Sequence, residues 1–129
     1  MTRDQAYRHT LYRAGDVAVR VGRRCPEVHA RQAWFIGAWN PFSRKMPDRW
    51  NDAAHARLLR DVRALPFREG EGSLGGWRER MLLVIADSAT VFRLACRYRQ
   101  AAVVLVPRGR PARLVYSRSL ASKWAFTSQ

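Results

Sequence analysis

Three short runs of apolar, β-forming residues constrain this chain most: Trp34–Trp39, Met81–Ala86 and Ala102–Val106. Continuous apolar runs of this length read as strands covered on both faces. Two stretches with a helical period stand between them. The first starts within Asp48–Asn51, where a polar residue can cap it, and runs to about Ala64. It places Ala54, Leu58, Leu59, Val62 and Leu65 on one side and Arg57, Arg60 and Arg63 on another. The second is capped by Asp87 or Ser88 and reaches about Arg99, with Val91, Phe92, Ala95 and Cys96 inward and Arg93 and Arg97 outward.

Flanking segments add to this frame. Val17, Val19 and Val21 alternate, as a strand with one buried face does. Arg113–Tyr116 pairs back on the third apolar run as a hairpin across Pro107–Pro111. Residues 4–13 fit a short helix or an edge strand, and 27–33 a short helix. The sum is an α/β (α+β) domain: a mixed sheet of about five strands with two main helices packed against it. A chain of 129 residues suits one domain. Its expected span is 1–116, followed by a loose polar tail over 117–129, where Trp124 and Phe126 could dock.

Charge says more about partners than about fold. There are 24 Lys plus Arg against 10 Asp plus Glu, a net charge of +14. All the cations but Lys45 and Lys123 are arginine, whose planar fork suits phosphate and carboxylate. A coding bias accounts for the arginine-to-lysine ratio but not for the shortage of acids. RNA, DNA or an acidic protein are the partners this balance points to. Arg44, Arg57, Arg60, Arg63, Arg93 and Arg97 are the residues expected to meet a polyanion.

Several classes are not supported. Cys25 and Cys96 form no CxxC pair, and Cys25 with His29 falls short of the four ligands of a structural metal site. Two reduced, packed thiols are expected, with no metal and no cofactor. The N-terminal stretch lacks the apolar segment of a secretory signal. No run approaches the ~18 residues of a membrane span, so a soluble, cytoplasmic protein is expected.

Gly70-Glu71-Gly72-Ser73-Leu74-Gly75 is a literal GxGxxG. A dinucleotide site needs that motif between a strand and a helix; here a strand follows, and Glu69 and Glu71 repel phosphate. A glycine-rich loop or hairpin is expected instead. Asn40-Pro41-Phe42-Ser43-Arg44 follows a buried strand, where ligands of α/β sheets gather. Asn40 and Ser43 offer hydrogen bonds there, or merely satisfy their own turn. Arginines alternate with aromatic residues, as at Arg49-Trp50 and Trp77-Arg78, which suits stacking on single strands or a plain core-and-surface pattern. Trp34 and Trp39 read as core. No catalytic constellation stands out.

The run Trp34-Phe35-Ile36-Gly37-Ala38-Trp39-Asn40-Pro41 with Ser43 resembles a segment of the bacterial domain-of-unknown-function family 3293. The resemblance continues through Asn51, Leu58-Leu59, Gly70, Gly72, Trp77, Glu79 and Arg99–Val104, and spans roughly Tyr7 to Tyr116. It brings no activity with it. It does imply that Asn40, Ser43, Asn51, Glu79 and Gln100 hold motif positions near element ends and form a candidate ligand site if they converge. Three functions therefore stand: a nucleic-acid or polyanion binding module, a small-ligand or nucleotide-binding enzyme-like domain around the Trp-Asn-Pro-x-Ser turn, and an interaction module for an acidic partner.

Overall fold

A computed structural model describes residues 1–119. Helix α1 (Arg3–His9) opens the chain under a capping box from Thr2, and strand β1 (Leu11–Ala14) follows at once. Residues 4–13 thus hold both a helix and a strand. After β2 (Val17–Val19), residues 20–31 contain no helix; Gln32–Gly37 forms β3, every residue of which beyond Gln32 is buried. Helix α2 (Asp48–Asp61), strands β4 (Phe67–Leu74) and β5 (Trp77–Ile85), helix α3 (Ser88–Arg97) and strands β6 (Ala102–Pro107) and β7 (Arg113–Tyr116) complete the order.

The sheet has seven strands among the described residues, in the order β2-β1-β4-β5-β3-β6-β7, and every pairing is antiparallel. The expected mixed sheet of about five strands is corrected on both counts. The reason lies in the two helical crossovers. α2 links β3 to β4 with β5 inserted between them, and α3 links β5 to β6 with β3 between them. Strands joined by a helix are parallel but never neighbours. This interleaving is the split β-α-β arrangement of ferredoxin-like domains. The β1–β2 hairpin extends one edge and β7 the other.

Each face of the sheet has its own core. Trp34, Ile36, Leu82, Val84 and Val103 pack under α2 and α3, meeting Ala54, Leu58, Val62, Val91 and Ala95. Phe35, Leu83, Val104 and Val106 point the other way, to Tyr12, Ala14, Val17, Val19, Cys25 and Val28. Full burial of side chains such as Phe35, Leu58 and Leu82 contributes ~1.5–3 kcal/mol each. Asp87 caps α3 by accepting from the Thr90 backbone, as expected. α2 differs from its expected start: Pro47 precedes it, and no side chain caps it. Cys96 is exposed rather than inward, while Leu94 takes the buried place on α3. Both cysteines are free thiols, Cys25 buried.

The glycine-rich segment is the hairpin of the two expected alternatives, and most of it is ladder strand. Gly70 and Gly72 lie within β4, paired with Met81 and Glu79, and only Gly75 and Gly76 form the turn. No helix of the described residues is long and apolar enough to cross a membrane. Of the expected tail, residues 120–129, with Trp124 and Phe126, lie outside the described residues. Ser117 is still tied to the Ala101 carbonyl through its backbone N–H at 2.9 Å.

Candidate functional site

β3 ends at Gly37, and the chain must turn sharply to reach α2. Pro41 cannot extend a ladder. Asn40 takes a left-handed conformation (φ 48), as do Phe42 (φ 50) and Ser43 (φ 65). Across the turn, Arg99 does the same after α3 (φ 51), and its carbonyl accepts the Phe42 N–H at 2.7 Å. These four are the non-glycine residues with positive φ among the described residues. All four meet at this one turn. Such backbone costs ~1–3 kcal/mol per residue and persists only where its surroundings fix it.

Asn51 supplies much of that fixing. It sits in the first turn of α2, is 2% exposed, and faces inward. Its Oδ1 accepts the Asn40 backbone N–H at 2.9 Å, and its Nδ2 donates to Asn40 Oδ1 at 3.0 Å and to the Met46 carbonyl at 3.3 Å. Asn40 Oδ1 also accepts the Met46 N–H at 2.9 Å. With its oxygen so engaged, the Asn40 amide has one direction left for its nitrogen. Nδ2 donates to Glu79 Oε1 at 2.6 Å.

Glu79 lies on β5 opposite Gly72, whose missing side chain leaves room above it. A Cβ on Gly72 would stand 3.1 Å from Met81 Sδ and 3.3 Å from Thr10 Cγ2. Burial pushes the Glu79 carboxyl up to about 7, and the Asn40 hydrogen bond only partly offsets this. The carboxyl opens onto a cavity of about 190 Å³ walled by Tyr7, Tyr12, Trp39, Trp77 and Met81, with Lys45 among its lining residues. Asn40, Ser43 and Gln100 line the same cavity. Ser43 Oγ is 2.9 Å from the Tyr7 hydroxyl. Gln100 Nε2 donates to the Trp39 and Tyr98 carbonyls at 3.1 and 3.0 Å. The Trp39 indole N–H is buried and has no protein partner. Trp39 is therefore half-buried pocket wall rather than core, a correction to its expected place.

Of the five polar residues singled out in sequence, four thus line one cavity, and Asn51 holds it from behind. Asn51 is not a helix cap. Tyr7 and Tyr12 come from α1 and β1, whose link to the site is purely tertiary, so no local pattern marks them; Lys45 follows Ser43 in the turn itself, where the sequence already offers its charge. The pocket holds no histidine or cysteine. His55, buried one turn after Asn51, faces elsewhere: its Nε2 is 3.2 Å from Glu69, and burial lowers its pKa.

The arginines divide. Arg57, Arg60 and Arg97 line a separate groove between α2 and α3, with Arg99 and the half-exposed Trp50. Asp61 shares this groove, bonded to Arg97 at 3.0 Å and to the Tyr98 hydroxyl. Burial tends to raise the Asp61 pKa, but those two bonds hold it below the usual carboxylate range. Arg44, Arg63 and Arg93 are exposed outside the groove, Arg93 leaning on Thr90.

The raised carboxyl gives the protein a signature in pH. The unfolded chain loses this proton near 4.5 and the folded one near 7, so the native state holds the extra proton between those values. Stability falls as pH rises through that window. The loss is of order 2 kcal/mol, allowing for the solvent a half-buried carboxyl still sees. Glu79→Gln keeps an acceptor for Asn40 but cannot ionise. Chemical denaturation at a series of pH values should show the slope in the native protein and its absence in E79Q, which becomes the more stable of the two at pH 8.

The fold and site define a small antiparallel α+β domain with a partly open, aromatic-walled pocket at the end of its central strands, into which a few polar groups converge. Residues 36–103, more than half the chain, match the model of a protein family of unknown function, DUF3293, and the chain belongs to that family. The matched stretch contains Asn40, Ser43, Asn51, Glu79 and Gln100. No curated protein and no solved structure matches the chain.

Proposed function

We propose that this domain binds a small polar ligand in the pocket at Asn40 and Glu79. The observation that carries the reading is the gathering of the four left-handed residues at one turn, where their effect is to aim the Asn40 amide at a desolvated carboxyl. Strain of this kind collects at ligand sites. A pocket with aromatic walls and a few convergent polar groups is the usual form of such a site. The ligand presents an N–H or O–H donor to Glu79 when that carboxyl is ionised, or an acceptor when it is protonated.

Binding has more support than catalysis. Ser43 and Tyr7 are paired with each other, and Glu79, the one carboxyl in the pocket lining, is hydrogen-bonded to Asn40 and to neither hydroxyl. Polyanion binding through the helix arginines has less support, since Asp61 neutralises part of that groove. Saturation-transfer NMR against a library of small heteroaromatic amides and acids tests the pocket. Ligands that bind the native chain and lose at least about tenfold in affinity with Glu79→Ala, about 1.4 kcal/mol, support the reading. Ligands indifferent to that substitution, or an absence of any, would count against it.

A further inference from the structure

The ten acids of the chain are not spread evenly over its arginines. Asp4, Asp16, Asp52, Asp61, Glu69 and Glu71 each stand within ion-pair distance of an arginine on α1, β4, β5 or α3. Arg57 and Arg60 on α2 and Arg63 just after it also make no ion pair among the described residues, but Asp61 stands on the same helix; one groove has no acid in its lining at all. The β6–β7 hairpin carries Arg108 and Arg110 on either side of Gly109, and Arg113 at the start of β7. Arg31, just before β3, joins these three in lining one open groove, and no acid lines it. A second strap of basic chain is stitched alongside. Gly22 N–H donates to the Ala112 carbonyl at 2.8 Å, Ala112 N–H donates to the Arg23 carbonyl at 2.7 Å, and Arg24 bridges to Pro111. Arg23 and Arg24 are therefore held against the hairpin. All six of these arginines are exposed.

We infer that this hairpin and its strap form a second site, separate from the pocket, that binds the phosphate backbone of double-stranded nucleic acid. Uncompensated guanidiniums grouped on one rigid feature raise the local concentration of phosphate and grip it through paired N–H donors. Protection of the β7 edge accounts for an arginine on that strand, but not for Arg108 and Arg110, which stand in the turn beyond the ladder. Three alternatives fit less well. A single strand requires aromatic platforms for its bases, and none of the exposed aromatic residues (Phe42, Trp50, Phe67 and Trp77) lies in this groove. A membrane surface is held by large apolar anchors beside the charges, and none of the exposed large hydrophobic residues lies in the groove, whose Leu105 is half-buried. An acidic protein surface would take an apolar centre with a polar rim, again absent.

The test uses the full chain and fluorescence anisotropy with a labelled duplex of about 20 base pairs, titrated over salt. DNA and RNA duplexes are both used, because the proposed interaction is with phosphate. Arg108→Gln, Arg110→Gln and Arg113→Gln are combined in one variant. Arg57→Gln, Arg60→Gln and Arg63→Gln are combined in another that loses the same charge. The hairpin variant should bind at least about tenfold more weakly, and its log–log salt slope should fall by roughly 2–3, near 0.9 for each phosphate no longer neutralised. The helix variant should change affinity less than about twofold. A third variant, with lysines at 108, 110 and 113, keeps the charge and should keep the slope, which separates missing charge from a damaged fold. Equal weakening of both glutamine variants would reduce the site to bulk charge and overturn the inference. So would a native chain that ignores duplexes, or one that leaves them for vesicles of anionic lipid.

Discussion

Gly70→Ala should cost the protein several kcal/mol, with a melting temperature at least 10 °C lower, roughly what 3 kcal/mol does to a domain near this size. The added methyl group has nowhere to go. A Cβ at Gly70 would stand 2.1 Å from the Arg13 carbonyl oxygen and 2.9 Å from Ala14 Cβ. Both atoms belong to β1, beside β4 in the sheet. Backbone cannot swing aside as a flexible side chain does. Either β1 withdraws, exposing Tyr12, Ala14 and the Val17–Val19 strand that completes their core, or β4 breaks its ladder with β5. Gly76→Ala is the control. A Cβ there meets nothing within 4 Å, and the residue has no positive φ, so that variant should melt within a degree or two of the native protein or slightly above it. Differential scanning calorimetry of the pair decides the matter. If G70A melts with G76A, β1 is not seated against β4 as described.

Gly70 also shows where sequence reading stops. A glycine inside a run reads locally as a turn, and Gly70 with Gly72 left a loop and a hairpin equally open. What requires them is β1 and the pocket, brought in from some sixty positions earlier in the chain by the sheet itself. The strands that could be read, Trp34–Trp39 above all, were those whose own side chains face two cores and so carry the pattern in themselves. The antiparallel order was hidden for a related reason. A strand-helix-strand pattern fixes the crossover but does not reveal a third strand slipped between its ends. Arg108, Arg110 and Arg113 are visible as a short basic run, yet their importance depends on which arginines the acids leave bare, and that is a property of the folded surface.

The pocket was partly legible because its polar residues sit at element ends, where a turn or a cap would also place them. Asn51 discriminates the two. As a cap, it would lose about 1 kcal/mol on conversion to alanine. Placed as it is, Asn51→Ala removes the acceptor of the Asn40 N–H and donors to Asn40 Oδ1 and the Met46 carbonyl, all part-buried. Each buried group left unmatched costs about 1–3 kcal/mol, so a loss near 3 kcal/mol and a fall of about 10 °C are expected. The effect should reach Glu79. Once Asn40 is released from its left-handed pose, water enters above the carboxyl and its titration, followed by carbon NMR of the side chain, moves down from about 7 toward 4.5. Asn51→Asp sharpens the case. It keeps the acceptor but sets a carboxylate against Asn40 Oδ1, which disfavours ionisation in the folded state and raises the pKa there. Its stability should therefore be near native at low pH, where the protonated acid can donate, and should fall as pH rises past the ordinary carboxylate range. A variant N51A that melts within a degree or two of the native protein would mean that the turn stands without this amide, and the pocket would then be an accident of the loop rather than something the loop is built to hold.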